Sequence, residues 1–393
     1  MQQMGILGGD DVARKLTPLI RNWPGESLQA RAVAGLDILA RIGSDLALMH
    51  LNGVAQKVKF KGLQEKAREK MDEVAQNRGL TADELADRLV PDLELDPDGS
   101  RTLDFGPRQF RISFDEALKP VVVDGNGKTL SDLPKANKSD DAAKAKEADT
   151  IWKTLKKDAK AIAQNQIVRL ELAMCAQRRW EVDSFRALFL EHPLLIHLVR
   201  RLIWGVYQED GTRIGAFRVA EDSSLADSQD STYTLPDEAR VGIVHPLELS
   251  DSEKAAFGQI LGDYNILQPF PQIGRDTYAP TAAEMKSHSI TRRHKQFAPL
   301  GKFLGLVEKG WRKGPPQDAG WIWDMSKPLA GGFTAHLDLP TGISADMQYT
   351  DAKQEIGTIS LTHKTNRDAS LADLPPVVFS ELVRDLVQLG SVT

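Results

Sequence analysis

The residues best suited to chemistry lie in two stretches of the C-terminal half. From Asp263 to Tyr278, Gln268 and Gln272 flank Pro269-Phe270-Pro271, with Tyr264, Arg275 and Tyr278 close by in sequence. Two prolines hold the backbone extended, and a stiff backbone bearing amides and phenols can recognise a peptide or a nucleotide. The other reading is a loop laid over a sheet, with its glutamines pairing to backbone groups.

The second stretch is basic: Thr291-Arg292-Arg293-His294-Lys295, then Lys302, Lys309, Arg312 and Lys313, with Trp311, Trp321 and Trp323 interleaved. Basic groups beside aromatics can hold a nucleic-acid backbone or a phosphate-bearing ligand. A solvated face beside a tryptophan core accounts for the same residues. The expected partner surface therefore comprises Tyr264, Gln268, Gln272, Arg275, Tyr278, Arg292, Arg293, His294, Lys295 and Lys313. The two stretches are expected to meet on one rim.

Other chemistry finds little footing. The sequence holds no Gly-x-x-x-x-Gly-Lys-Ser/Thr, Gly-x-Gly-x-x-Gly after a strand, His-Glu-x-x-His or Gly-x-Ser-x-Gly. His288 and His294 lie six residues apart, on different faces of any helix, so no metal site is expected. His192-Pro193 and His245-Pro246 read as entry and exit positions whose imidazoles satisfy local backbone. No catalytic residue and no cofactor is assigned.

The elements that must position these residues follow from pattern. Of 393 residues 41% are hydrophobic, enough for two or three domains, and 50 basic against 55 acidic residues leave a net charge of −5. That balance gives no global field for a polyanion. A single cysteine, Cys175, excludes an internal disulfide and suits a reducing compartment. The first ten residues lack a signal-peptide pattern, and the apolar run from Leu194 to Trp204 is broken by His197, Arg200 and Arg201. A soluble, cytoplasmic chain with no membrane span is expected.

Residues 1–95 read as helices in HEAT-like pairs, with Val12, Leu16, Leu19 and Ile20 as a first apolar stripe whose outer side lacks a capping neighbour. Residues 96–134 read as a small β-meander, 135–147 as a charged linker, and 148–393 as an α+β domain with an antiparallel sheet. The fold class is α+β: mainly helical in the N-terminal part, α+β after it.

The segments His192-Pro193-Leu194, Arg201-Leu202-Ile203-Trp204-Gly205, Phe217-Arg218-Val219-Ala220-Glu221-Asp222, Val244-His245-Pro246-Leu247 and Asp263 through Gln272 together resemble bacterial MolR-like (molybdate metabolism regulator-like) proteins and their domain-of-unknown-function family 4132. The region around His50 to Lys61 and Leu103 to Arg108 is similar to what precedes that domain in the same proteins. Larger members carry a Trp-Gly-Arg domain, but Trp204-Gly205 is followed here by Val206, so that domain's function does not transfer. The resemblance implies no demonstrated chemistry. The expectation is an interaction or regulatory protein with protein partners, the alternatives being a nucleic-acid-associated factor or an enzyme without a recognisable motif.

Overall fold

The computed structural model describes residues 9–58, 60–317, 320–344, 352–365 and 369–390. The chain divides into two compact units, Met1–Ile167 with Asp183–Arg200, and Val168–Val182 with Arg201–Thr393.

The first unit opens with helices α1 (Asp10–Asn22), α2 (Gln29–Ile42), α3 (Asp45–Lys57), α4 (Lys61–Asn77) and α5 (Ala82–Arg88). Their ends have local causes. Asp10 and Asp11 occupy the first turn of α1 and Arg21 its last, each complementing the helix dipole. Gly43, at φ 64°, closes α2 in the left-handed conformation that glycine adopts without penalty. Ser44 then accepts the Ala47 N–H at 3.2 Å to start α3, and a Thr81–Glu84 capping box opens α5. One apolar core from Ala13 to Leu89 is shared by these helices.

The stripe on α1 departs from expectation. Ala13, Leu16, Thr17 and Ile20 are buried, and Arg14 reaches Asp158, on a later helix of the same unit, at 2.8 Å. That ion pair ties the side expected to be bare to the later helix at one point, while Leu19 stays 48% exposed. Residues 1–8 lie outside the described residues.

Strands β1 (Arg101–Asp104), β2 (Gln109–Phe114), β3 (Pro120–Val123) and β4 (Thr129–Leu130) form an antiparallel sheet in chain order. The polar stretch 135–147 is mostly exposed, is helical from Ala142, and gives its acids specific partners. Arg108 pairs with Asp140 at 2.6 Å, and Asp141 accepts the N–H groups of Ala143 and Lys144 at 2.9 and 3.1 Å. Asp141 thereby caps α6 (Ala142–Cys175), and the division between the units falls inside that helix. Short helices α7 (Val182–Phe185) and α8 (Ile196–Val199) follow.

Among the described residues the second unit has two five-stranded sheets. The first has order β5-β9-β6-β7-β8, built from Trp180–Glu181, Arg240–Ile243, Ile203–Tyr207, Arg213–Val219 and Leu225–Ala226. Helix α9 (Asp251–Asp263) packs Phe257, Ile260 and Leu261 into a cluster with Ile203, Ala216 and Val244. The second sheet has order β10-β16-β14-β13-β12, from Ser289–Ile290, Ile359–His363, Phe333–Ser344, Trp321–Pro328 and Arg312–Lys313. Strands β11 (Phe297–Pro299) and β15 (Lys353–Glu355) pair beside short helix α10 (Leu300–Gly305). Every pairing in these sheets is antiparallel, and the fold is α+β. Helix α11 (Pro376–Gly390) is buried without a break from Val377 to Leu386. A helix enclosed on every side must satisfy each polar group that it carries.

Candidate functional site

Helix α9 sets the geometry of the first candidate stretch. It ends with Asn265 at φ 53°, the Ile266 N–H bonding Leu261 O at 2.8 Å and the Asn265 N–H bonding Gly262 O at 3.1 Å. This is a Schellman closure, and Ile266 packs on the Leu261 cluster as that motif requires. The chain is thereby reversed so that Tyr264 and Leu267 stand out, 55% and 61% exposed. Asn265→Ala should cost about 1 kcal/mol through the left-handed backbone and Asn265→Gly should not, as thermal melts of the two variants will show.

The glutamines turn inward. Gln272 is fully buried. Its Oε1 accepts the Ile203 N–H at 3.0 Å and a Gln268 amide hydrogen at 2.8 Å, while its Nε2 donates to Ile203 O at 2.7 Å and Val244 O at 2.9 Å. The side chain thus takes up backbone groups of β6 and of the residue after β9. Gln268 also donates to Arg201 O at 3.3 Å and accepts the Ile273 N–H at 3.0 Å. The large apolar or aromatic side chains that this loop offers to solvent are Tyr264 and Leu267. Tyr264 lies under the Arg218 guanidinium, 4.5 Å from the ring centre, and donates to Asp230 at 2.7 Å.

Arg275 is buried as well, and it belongs to a second constellation. Its Nε and one terminal nitrogen donate to Glu381 at 2.7 and 2.6 Å, and its other terminal nitrogen to Glu171 at 2.7 Å. His245 takes the Leu247 N–H on Nδ1 at 3.2 Å, which leaves the proton on Nε2 to point at Glu381, 3.2 Å away. The Cys175 thiol donates to the same carboxylate at 3.2 Å. Burial works against a charged Glu381, but the hydrogen bonds from Arg275 and His245 outweigh it and hold the group well below the usual carboxylate range. Burial, with the neighbouring Glu381, pushes the Cys175 thiol well above its ordinary value, so it is no ready nucleophile. One helical turn on, Asp385 accepts from Trp311 Nε1 at 2.8 Å and Lys327 at 3.0 Å. A cavity of about 130 Å³ adjoins this network, walled by Leu172, Cys175, Lys327, Val378 and Leu382 among others.

The basic stretch is mostly engaged with its own unit. Arg292 grips Glu284 through two bonds of 2.7 Å, donates to Ala279 O at 2.8 Å, and lies 6.0 Å from the centre of the Tyr278 ring. These contacts hold Glu284 down at about 2. Lys309 lies 3.4 Å from Asp385. Lys313 is half-buried in β12, opposite Met325, and His294 is half-buried, its Nδ1 without a hydrogen-bond partner. Arg293 and Lys295 remain exposed, at φ 64° and 65°. The structure brings Tyr278 and Arg292 together, but it does not gather the ten expected residues on an outward rim. Pairing explains the difference, because buried amides and guanidinium groups bond inward wherever backbone and carboxylate are within reach. Pattern reading missed Glu381 and Asp385 altogether.

Residues 127–311 match the domain of unknown function DUF4132. The chain is also 42% identical over 313 residues to the uncharacterized protein YehI of Escherichia coli (strain K12), an alignment that takes in 79% of this chain and 26% of that protein. It thus spans about a quarter of the length of the relative that it matches. No solved structure matches it. Glu171, Cys175, His245, Gln272 and Arg275 fall inside the matched segment, whereas Lys327, Glu381 and Asp385 lie beyond it. The folded unit therefore reaches past the matched residues, since Arg275 has its main partner on α11. Among the described residues no helix is long and apolar enough to cross a membrane, and no group of three or more His, Cys, Asp or Glu residues could hold a metal ion.

Proposed function

We propose that the chain is an interaction module that engages a protein partner through the Tyr264–Leu267 rim of its second unit, with the helical unit as a regulatory platform in the manner of MolR-like proteins. The observation that carries this reading is the pair of large exposed side chains on a turn that Gln268 and Gln272 lock from beneath. A preorganised aromatic beside an arginine has the composition of an interface hot spot, and a fixed backbone lowers the entropic cost of docking. The partner would present an apolar patch to Leu267 and to the exposed part of the Tyr264 ring. The nucleic-acid alternative gains little support, because Arg292 and Lys309 are already turned toward carboxylates.

A photo-crosslinking phenylalanine analogue placed at Leu267 tests this in native lysate, with the same analogue at exposed Glu209 as control. A discrete crosslinked product from position 267, lost on adding Tyr264→Ser, is the expected result. No product, or the same pattern from both positions, would overturn the proposal.

A further inference from the structure

Within the first unit, α1, α3 and α6 wall an open cavity of about 300 Å³ lined by Arg14, Arg21, His50, Lys157, Asp158 and Asn165 among others, with Arg21 and Lys157 at its exposed side. Its charges do not balance. Asp158 is taken by Arg14, whose Nε lies 3.1 and 2.8 Å from its two oxygens. Arg21 and Lys157 are left without an ion-pair partner among the described residues. His50 is 9% exposed, and its Nε2 has no hydrogen-bond partner. A buried polar atom left open in a cavity wall is rare and marks a place where something else bonds.

A third observation is the glycine in the middle of α3. A Cβ built on Gly53 would lie 3.0 Å from Asn165 Nδ2 and 3.2 Å from an Arg21 terminal nitrogen. Glycine is disfavoured in a helix interior; here its bare face lets Asn165 and Arg21 close over α3 beside the cavity.

We propose that this cavity is a binding site for a small phosphate monoester, such as a sugar phosphate. Two uncompensated cations from different helices suit a dianion, and the arginine fork, the lysine point charge, the imidazole and the Asn165 amide together offer the several donors that a tetrahedral oxyanion accepts. The volume sits at the small end of metabolite pockets. Burial first, and then the charges of Arg21, Arg14 and Lys157, hold the His50 imidazole down at about 4, with Asp10 opposing. A bound dianion would offset the charge part of that shift.

Calorimetric titration of the full chain with ribose 5-phosphate, inorganic phosphate, ribose and a mixed-sequence RNA oligonucleotide tests the assignment. Saturable binding of ribose 5-phosphate is expected, with weaker binding of phosphate and none of ribose. Arg21→Gln and Lys157→Gln should each weaken it at least tenfold while leaving the melting temperature unchanged. Gly53→Ala is the sharper variant, since it favours the helix yet crowds Arg21 and Asn165. It should lower affinity without lowering the melting temperature. Absence of saturable binding, binding of ribose as tight as of its phosphate, binding of the oligonucleotide alone, or affinities that the three variants leave intact would each overturn the proposal.

Discussion

Replacing Glu381 by alanine should destabilise the second unit by about 3–5 kcal/mol, the usual consequence of leaving one partner of a buried ion pair behind. The carboxylate accepts from Arg275 twice, from His245 and from Cys175. Its removal leaves Arg275 buried with Glu171 and Pro271 O as remaining acceptors. Urea unfolding followed by amide exchange along α11, where Asp385 one turn on bonds Trp311, reports on the right region. A loss under 1 kcal/mol would show that the network does not hold α11. The double variant Arg275→Met with Glu381→Leu should cost less than Glu381→Ala, because no buried guanidinium then loses its main partner, and Glu171, partly exposed, still has Arg384 at 4.0 Å.

The same group sets an acid limit. Its folded value is depressed below an ordinary value near 4.5, so its stabilisation is complete above that pH and is lost as pH falls through the depressed value. Wild type should therefore show a steeper stability loss below pH 4.5 than Glu381→Gln, which lacks the titrating group.

Much of the framework was legible because turn chemistry and period agree. Asp210-Gly211 marks the β6–β7 hairpin, Ser250 and Glu253 spell a capping box, and the alternation in Phe110, Ile112 and Phe114 matches the buried positions of β2. The ionic network was less legible, since it joins residues about a hundred positions apart. A signal did exist on α11, where Ser380, Glu381, Arg384 and Asp385 recur at helical spacing within an otherwise apolar run. A polar stripe on an enclosed helix must meet partners, and these meet Tyr278, Arg275, Glu171 and Lys327. The glutamines misled because stiff backbone between two prolines fits outward presentation and inward bonding equally well. Only the free ends of β6 and β9 decide the direction, and they are not adjacent in sequence.

Gln272→Ala should cost about 3 kcal/mol, because it strips the Ile203 N–H and the Val244 carbonyl of their side-chain partner in a dry site, each loss worth about 1–3 kcal/mol. Amide exchange at Ile203 should quicken selectively, while exchange in the meander of the first unit stays unchanged. Gln272→Glu gives a test with a sign. A carboxylate there would face the Ile203 and Val244 carbonyls that now accept from Nε2, so burial and repulsion would raise its folded pKa above the unfolded one. That variant should be weakest at neutral pH and recover toward wild type, compared at equal pH, as the carboxyl takes up a proton in acid. The functional consequence runs through Gln268, which rests on the Gln272 oxygen and holds the Ile273 N–H. Loosening it frees the turn that carries Tyr264 and Leu267, so Gln272→Ala should reduce crosslinking at position 267 even though it alters no exposed atom.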